Sequence, residues 1–546
     1  MKKYAIGIDY GTLSGRAVLV DTETGNELAE SVLEYPHGVM DESLPSGRAL
    51  PEKYALQHPG DYIEVLKSTV PDVLSKAGVS AADVAGIGID FTACTVLPVR
   101  EDGTPLCFDE KYADEPHAYV KLWKHHAAQP EADEINLKAA QRQEKWLAIY
   151  GGKISSEWVF PKVLQVLREA PEIYRDTARF IEAGDWLSWM LTGTETHAAA
   201  FAGYKALWNS EDGYPSPEFL EAVDPGLKDI VGTKLSRQVL PVDRKAGVLN
   251  KYGAGITGLE AGTPVALPMI DGHAAMPALG ITGEGVLMLI MGTSSCHIIN
   301  SGKVINIPGV CGYVKDGVIP GFYTYEAGQA CVGDGFDWFV RNCVPEKYAA
   351  EAREKGISIH KLLRMKASQS APGQSGVIAL DWFNGNRSVL DDSDLSGMIL
   401  GLTLGTKPED IYRALIEATA FGTRIIIESF VNSGIAINSI TASGGIARKD
   451  EMMMQIYADV TGREINVAGT SQAGALGSAI YASVAGGLFA SVAEAADKLA
   501  VKHDKVYRPD PERQKAYDRL YGEYKLLHDY FGRGGNDVMK RLLKNK

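Results

Sequence analysis

The sequence predicts an α/β protein built from two similar domains that flank a cleft. Three observations predict it. At 546 residues the chain is too long for one hydrophobic core, so two large domains are expected. Strand-like apolar runs alternate with helix-like runs along most of its length. One local pattern, strand, Gly-Thr-x-Ser turn, strand, occurs twice, far apart in the chain.

The first copy opens the chain. Residues 3–8 read as a strand, Asp9-Tyr10-Gly11-Thr12-Leu13-Ser14-Gly15 as a turn, and residues 16–21 as the returning strand. A second turn at 21–26 leads into a third strand, 27–34. The other copy lies within 264–300, the stretch around which the chain is organised. There Val265, Ala266, Leu267, Met269 and Ile270 form an apolar run closed by Asp271 and Gly272. That is a carboxylate delivered at the end of a buried strand, with room beside it. Residues 286–291 form the next strand, which breaks at Gly292-Thr293-Ser294-Ser295 and resumes over 296–299. Glycine, threonine and serine in a tight turn offer backbone N–H groups and hydroxyls, the donors a phosphate chain needs. The same residues favour ordinary hairpin turns. Their recurrence, with an acid at each site, favours two turns that hold a nucleotide's phosphates from opposite sides.

Composition narrows the function classes. Hydrophobic residues make up 45% and charged residues 23%, as in soluble globular proteins. A net charge of −14 excludes the basic face of a nucleic-acid binder. It leaves room for ATP, which backbone N–H groups and a metal ion can hold locally. Six cysteines are scattered without a CxxC pair, which points to reduced thiols rather than zinc. The N-terminus enters a strand directly, so a cytoplasmic location is expected. Residues 467–493 carry no charge but are rich in Gly, Ala and Ser. They are too weakly apolar for a bilayer span and predict a buried helix lying close on a sheet.

The remaining elements follow in order. Residues 35–59 form a polar, irregular excursion near the cleft. Tyr62, Val65, Leu66, Val70, Val73 and Leu74 give 61–77 helical spacing. Residues 84–89 form a strand ending at Asp90, followed by Phe91-Thr92-Ala93-Cys94-Thr95. That segment is either a simple turn or a substrate contact, since open α/β sheets place ligands at the carboxyl ends of strands. Residues 117–150 read as mostly helical with an interruption near Pro130; Trp123, His125 and His126 fall in the first half, where a His pair reads as a solvated face. Lys205 sits between Tyr204 and Trp208, where it either snorkels or supplies a fixed positive charge to a polar ligand. Residues 253–258 fit GxGxxG, yet they follow polar Asn250-Lys251 and read as a domain junction, not a dinucleotide loop. A strand over 322–329 runs into a small-residue turn, and a helix starts at Gly333. Residues 361–375 read as a linker-like loop. A capping box of Thr406 and Glu409, with Pro408, opens a long helix to Asn432. The strand at 437–441 breaks at Ser443-Gly444-Gly445, a bare backbone on which a nucleoside can lie. Asp510-Pro511 opens a last helix whose Tyr517, Leu520, Tyr521, Tyr524 and Leu527 pack back on the body. The expected units are 1–260, 261–500 and a helical tail, 501–546.

These residues resemble the FGGY carbohydrate kinase family, within the actin-like ATPase superfamily. Asp9-Tyr10-Gly11-Thr12 with Arg16 resembles the superfamily's first phosphate loop, Met291-Gly292-Thr293-Ser294-Ser295 the second, and Ala442-Ser443-Gly444-Gly445 its adenosine motif. Gly397, Gly401-Leu402, Asp410-Ile411 and Ala414-Leu415-Ile416-Glu417 resemble the family's C-terminal signature, and the region around Lys162 its N-terminal one. The resemblance implies two actin-like (ribonuclease H-like) ATPase domains flanking a cleft, and a phosphotransferase with an alcohol acceptor. Within the family, the polar insertion, residues 91–95, residues 157–162 and Asp271-Gly272-His273-Ala274 are similar to the branch that phosphorylates L-ribulose.

The resemblance implies roles as well. Asp271 would be the general base, with Ala93, Trp123, Lys205 and Glu326 beside it at the sugar. Gly11, Thr12, Leu13, Arg16, Gly292, Thr293, Ser294, Gly335, Gly444, Gly445 and Lys449 would contact ATP; Lys449 stands where some relatives carry asparagine. Asp9 and Asp271 would hold Mg²⁺ through water. The implied partners are a small-molecule sugar and ATP, with no nucleic acid, no membrane and a homodimer left open. The alternatives are a kinase for another ketose or polyol (xylulose, ribitol, glycerol) and an actin-like ATPase that is not a kinase.

Overall fold

The computed structural model describes residues 3–236 and 238–543. Its centre is a pair of seven-stranded sheets. In the first, strand Tyr4–Tyr10 pairs antiparallel with Ser14–Asp21, which pairs antiparallel with Glu27–Glu34. On its other side Tyr4–Tyr10 runs parallel to Val84–Phe91, then come Pro264–Ala266 in parallel and Lys245–Val248 antiparallel. The second sheet repeats the plan. Gly285–Met291 pairs antiparallel with Ser295–Ser301, which pairs antiparallel with Tyr323–Gln329. On its other side follow Ile437–Ser443 and Glu464–Ala468 in parallel, then His503–Tyr507 antiparallel. Across these six strands order and direction agree, so the repeated hairpin belongs to a repeated sheet; the seventh differs, Met269–Ile270 pairing with Val84–Phe91 in the first and Tyr313–Lys315 with Tyr323–Gln329 in the second. The two turns also close alike: the Gly11 N–H donates to the Ser14 carbonyl at 3.0 Å, and the Gly292 N–H to that of Ser294 at 2.9 Å.

The change from one sheet to the other comes later than position 260/261. Pro264–Ala266 and Met269–Ile270 both pair with Val84–Phe91 of the first sheet, and the second sheet begins only at Gly285. Parallel pairing is non-local, so a composition change at the Gly-rich 253–262 does not mark it. The chain then crosses back. Helix Ala473–Ala485 lies on the first sheet rather than the second, with its backbone almost touching it. A Cβ added at Gly7 would sit 1.7 Å from the Ala475 carbonyl oxygen, and one at Gly477 1.7 Å from that of Ala274 in the neighbouring helix Asp271–Ala278. The small residues that mimic a weak membrane span therefore serve a backbone-to-backbone contact. Among the described residues, no helix is long and apolar enough to cross a membrane.

The tail helix, Pro511–Gly532, is capped by Asp510, whose carboxylate accepts the N–H of Glu512 at 2.9 Å and of Arg513 at 3.1 Å. It buries Tyr517, Tyr521 and Tyr524 against the second half, each ring contributing on the order of 2 kcal/mol.

Four local readings change. The half of 117–150 before Pro130 is not helical: strand Val120–Lys121 and turns precede helix Gln129–Arg142, which starts beside that proline. His125 is fully buried and bonds Gln165 at 3.0 Å, and this buried polar pairing overrides the helical periodicity. Residues 253–258 lie mostly in helix Lys251–Thr257, N-capped by Asn250, which accepts the Gly253 N–H at 2.7 Å. The first part of the expected loop 361–375 belongs to helix Ile359–Ala367, capped by Ser358 and burying Leu362, Leu363 and Ala367, and the loop follows it. The capping box of the long helix Pro408–Asn432 uses Asp410, which accepts the Lys407 N–H at 2.9 Å, while Glu409 takes the Tyr348 hydroxyl at 2.6 Å.

Candidate active site

Parallel pairing sets Asp9 directly opposite Asp90, and Met269–Ile270 pairs with Asp90 and Phe91, which brings Asp271 to the same edge. The carboxyl ends of three neighbouring strands thus meet as three carboxylates. Asp271 does not end its strand; it is the first residue of helix Asp271–Ala278, and its Oδ1 accepts the Gly272 N–H at 2.7 Å. Helix starts favour anions, but burial and the Asp9 charge outweigh this and push the Asp271 carboxyl up to about 7. Burial also raises Asp9, against the pull of Arg16 at 3.6 Å. Asp90 is fully buried and held well above the carboxylate range, first by burial and then by Asp9. The Ser478 hydroxyl donates to its Oδ2 at 2.7 Å, whereas its buried Oδ1 has no donor among the described residues.

A second cluster lies on the far side of Asp271. Glu326, buried on strand Tyr323–Gln329, is approached by Lys205 at 3.4 Å, His273 at 3.3 Å and Arg387 at 2.5 Å. Burial alone would raise its carboxyl; Lys205, His273 and Arg387 together hold it well below the usual range. Lys205 ends helix Ala199–Lys205 and is buried, so it does not snorkel. Burial would lower it, but Glu326 keeps it raised and charged. A cavity of about 310 Å³ opens beside this cluster, lined in part by Glu157, Trp158, Lys205, Cys311 and Arg387.

The first turn adjoins this edge, since it follows Asp9 and Tyr10 directly. Trp123, which lies on a turn, donates its indole N–H to the Thr12 hydroxyl at 3.1 Å. The excursion 35–59 braces the same turn: the Tyr35 hydroxyl reaches the Gly11 carbonyl at 2.9 Å, and the Gln57 amide that of Thr12 at 2.7 Å. Leu13 is exposed at the tip. Arg16 is drawn along the sheet to Gln472 at 3.0 Å. Behind the turn, His37 bonds Asp61 at 2.7 Å and stacks on His58 with ring centres 4.4 Å apart. Stacked rings direct their lone pairs along near-parallel planes, which suits a packing contact better than a shared ion.

In the second half, Gly292, Thr293, Gly333, Asp334, Gly445 and Lys449 are among the lining of a cavity of about 480 Å³. The Val332 N–H donates to the Thr293 carbonyl at 2.8 Å, which joins the turn to helix Gly333–Cys343. Gly444 has φ +100 and a Cβ there would lie 2.3 Å from the Met291 carbonyl oxygen, so only glycine fits. Gly335 is brought near but faces inward toward Cys331 and is not part of that lining. A larger hollow of about 750 Å³, between Trp146, Trp208 and Tyr214, contains none of the acids.

Sequence reasoning singled out Asp9, Asp271, Lys205 and Glu326, which the fold gathers. It did not assign Asp90, His273 or Arg387 to the site. Asp90 carried a signal, a lone acid ending an apolar strand. Arg387 lies in an irregular loop without periodicity, and only the fold brings it to Glu326.

The comparisons with known proteins agree with this architecture. The model of the N-terminal domain of the FGGY family of carbohydrate kinases matches residues 4–277, and that of the C-terminal domain residues 287–486. The chain is 54% identical over 539 residues to a ribulokinase of Bacillus licheniformis, covering 98% of each chain. It is 53% identical over 547 residues to one of Geobacillus thermodenitrificans, covering 99% of this chain and 97% of the relative. Its fold matches solved xylulose kinases of Rhodospirillum rubrum (TM-score 0.77, 22% identity, 96% of this chain and 98% of that one) and Lactobacillus acidophilus (TM-score 0.79, 18% identity, the same coverage). With both halves matched and the duplicated sheets in place, the chain belongs to the FGGY family of carbohydrate kinases.

Proposed function

We propose that the cleft transfers the terminal phosphoryl group of ATP to the 5-hydroxyl of L-ribulose, and that Asp271 is the general base. One observation carries this: Asp271, its carboxyl pushed up to about 7 by burial and Asp9, joins Asp9 and Asp90 at the edge that approaches the second sheet. The approach is close, since a Cβ on the neighbouring Gly272 would lie 3.4 Å from Ile290 of the second sheet. A sugar hydroxyl is a weak nucleophile, so a carboxylate beside it must take its proton as the oxygen attacks phosphorus. Phosphoryl transfer otherwise asks for in-line positioning and charge neutralisation. The backbone N–H groups of the turns at 11–14 and 292–294 suit the phosphates, and the cavity at Gly444, Gly445 and Lys449 suits the nucleoside. The cavity lined by Lys205 and Arg387 suits the sugar, and Glu326, Ala93 and Trp123 would complete its contacts.

Mg²⁺ fits this edge. The buried Oδ1 of Asp90, without a donor among the described residues, and the carboxylate of Asp9 opposite it are the hard oxygens such an ion prefers. Asp9 and Asp90, with Asp271 through water, would hold it, and it would neutralise charge on the phosphate oxygens. Lobe closure over the cleft would exclude water and suppress ATP hydrolysis. Ribulose as acceptor is supported by the curated relatives named ribulokinase at 54% and 53% identity. A coupled ADP assay over ketopentoses and polyols tests it. L-ribulose is expected to give the highest kcat/KM; a higher value for xylulose, ribitol or glycerol overturns the substrate, and sugar-independent ATP turnover overturns the kinase reading.

A further inference from the structure

The segment after strand Val84–Phe91 holds a conformation that its own residues disfavour. Cys94 has φ +58, the left-handed region that residues with a Cβ enter at a steric cost. Two buried charged side chains grip it from behind. Lys162, on helix Val159–Glu169, donates to the Cys94 carbonyl. Glu182, ending strand Arg179–Glu182, accepts the N–H of Cys94 at 3.2 Å and of Thr95 at 2.9 Å. A cation on the carbonyl and an anion on the N–H of one residue pin that residue in place.

The ammonium does more. It also donates to the carbonyls of Leu122 at 2.9 Å and Lys121 at 3.3 Å, immediately before Trp123. Three N–H donors meet three carbonyls, so the group is saturated. Lys162 is 1% exposed and lines neither cleft cavity. Glu182 is 6% exposed and spends both oxygens on the turn. The two charges do not bond each other but offset one another through space, so removing either leaves the other a less compensated buried charge.

We infer that Lys162 and Glu182 are positioning residues that lock residues 92–95 and 121–123 into one surface, presenting Ala93 and Trp123 together to the sugar without touching it. The inference rests on the sugar site proposed above. A packing role alone would lower stability without favouring one substrate. A positioning role shows as a split between the two substrates, because small misplacements of contact groups cost rate and affinity steeply.

The test uses the full-length protein with L-ribulose and MgATP. In Lys162→Met and in Glu182→Gln, the KM for L-ribulose is expected to rise about tenfold or more while that for ATP stays within about twofold. Cys94, 2% exposed, should also react faster with a thiol reagent, read on its peptide by mass spectrometry. An unchanged sugar KM, or an equal rise in both KM values, overturns the inference. Should Lys162→Met fail to fold, the same ratio in Glu182→Gln decides the matter. Failure of the functional reading is seen separately, as full turnover in Asp271→Asn, a variant that leaves Lys162 and Glu182 in place.

Discussion

Where the first sheet pairs Asp9 with Asp90, the second pairs Ile290 with Ser443. The two edges follow one plan of strands and turns, yet one ends in carboxylates and the other in an isoleucine, a serine and bare backbone. After Val84–Phe91 comes a pinned turn with a left-handed cysteine; after Ile437–Ser443 come two glycines. The difference follows from what each edge must face. Acids suit a metal ion and a proton, and they repel phosphate and add nothing to an aromatic base. Open backbone suits phosphate and a flat ring. Duplication supplied two equal platforms, and the side chains at a few strand ends made them unlike.

The largest expected effect falls on the acidic edge. Asp271→Asn should lower kcat by about 10²–10⁴-fold with the fold intact, as expected when a general base is removed. Stopped-flow or coupled assays read this directly, and near-normal turnover would remove Asp271 from the chemistry. The glycine edge should respond in binding. Gly444→Ala places a Cβ against the Met291 carbonyl at positive φ, a strain of about 1–3 kcal/mol. Nucleotide affinity should fall roughly tenfold to a hundredfold by calorimetry, and an unchanged ATP affinity would show that the nucleoside does not rest there.

A pH experiment sharpens the contrast. The Asp271 carboxyl sits at about 7 in the folded protein against an ordinary 3.8, so the fold binds this proton more tightly than the unfolded chain does. Its destabilisation is absent at pH below the ordinary value and complete above about 7. Asp271→Asn should therefore melt higher than the wild type at pH 8 and equally at pH 3. Wild-type kcat/KM should fall about tenfold per unit as pH drops below the group's value, since the base must be ionised. The smallest effect belongs to the tail. The Tyr524 hydroxyl donates to buried Asp381 at 2.8 Å, so Tyr524→Phe should cost about 1–3 kcal/mol of stability in denaturant melts and leave kcat alone.

The same contrast explains what the sequence made legible. Hairpins are local, so both Gly-Thr-x-Ser turns and their flanking strands could be read directly. Asp271 was legible because an apolar run led to it, and Gly444-Gly445 because two glycines interrupted a strand. The turn that carries Trp123 was not, since its shape depends on Lys162, about forty positions later, donating to its carbonyls. Arg387 is brought to the site by the fold, where it and His273 converge on Glu326. The return of helix Ala473–Ala485 to the first sheet is likewise a long-range fact: its small residues announce a close contact but not with which sheet.

The division of labour between the edges is most directly tested by paired calorimetric titrations of Asp271→Asn and Gly444→Ala with L-ribulose and with MgADP. The account predicts that Asp271→Asn binds both ligands though it cannot turn over, while Gly444→Ala binds the sugar normally and the nucleotide weakly. Loss of nucleotide binding in Asp271→Asn, or loss of sugar binding with intact nucleotide binding in Gly444→Ala, would contradict it.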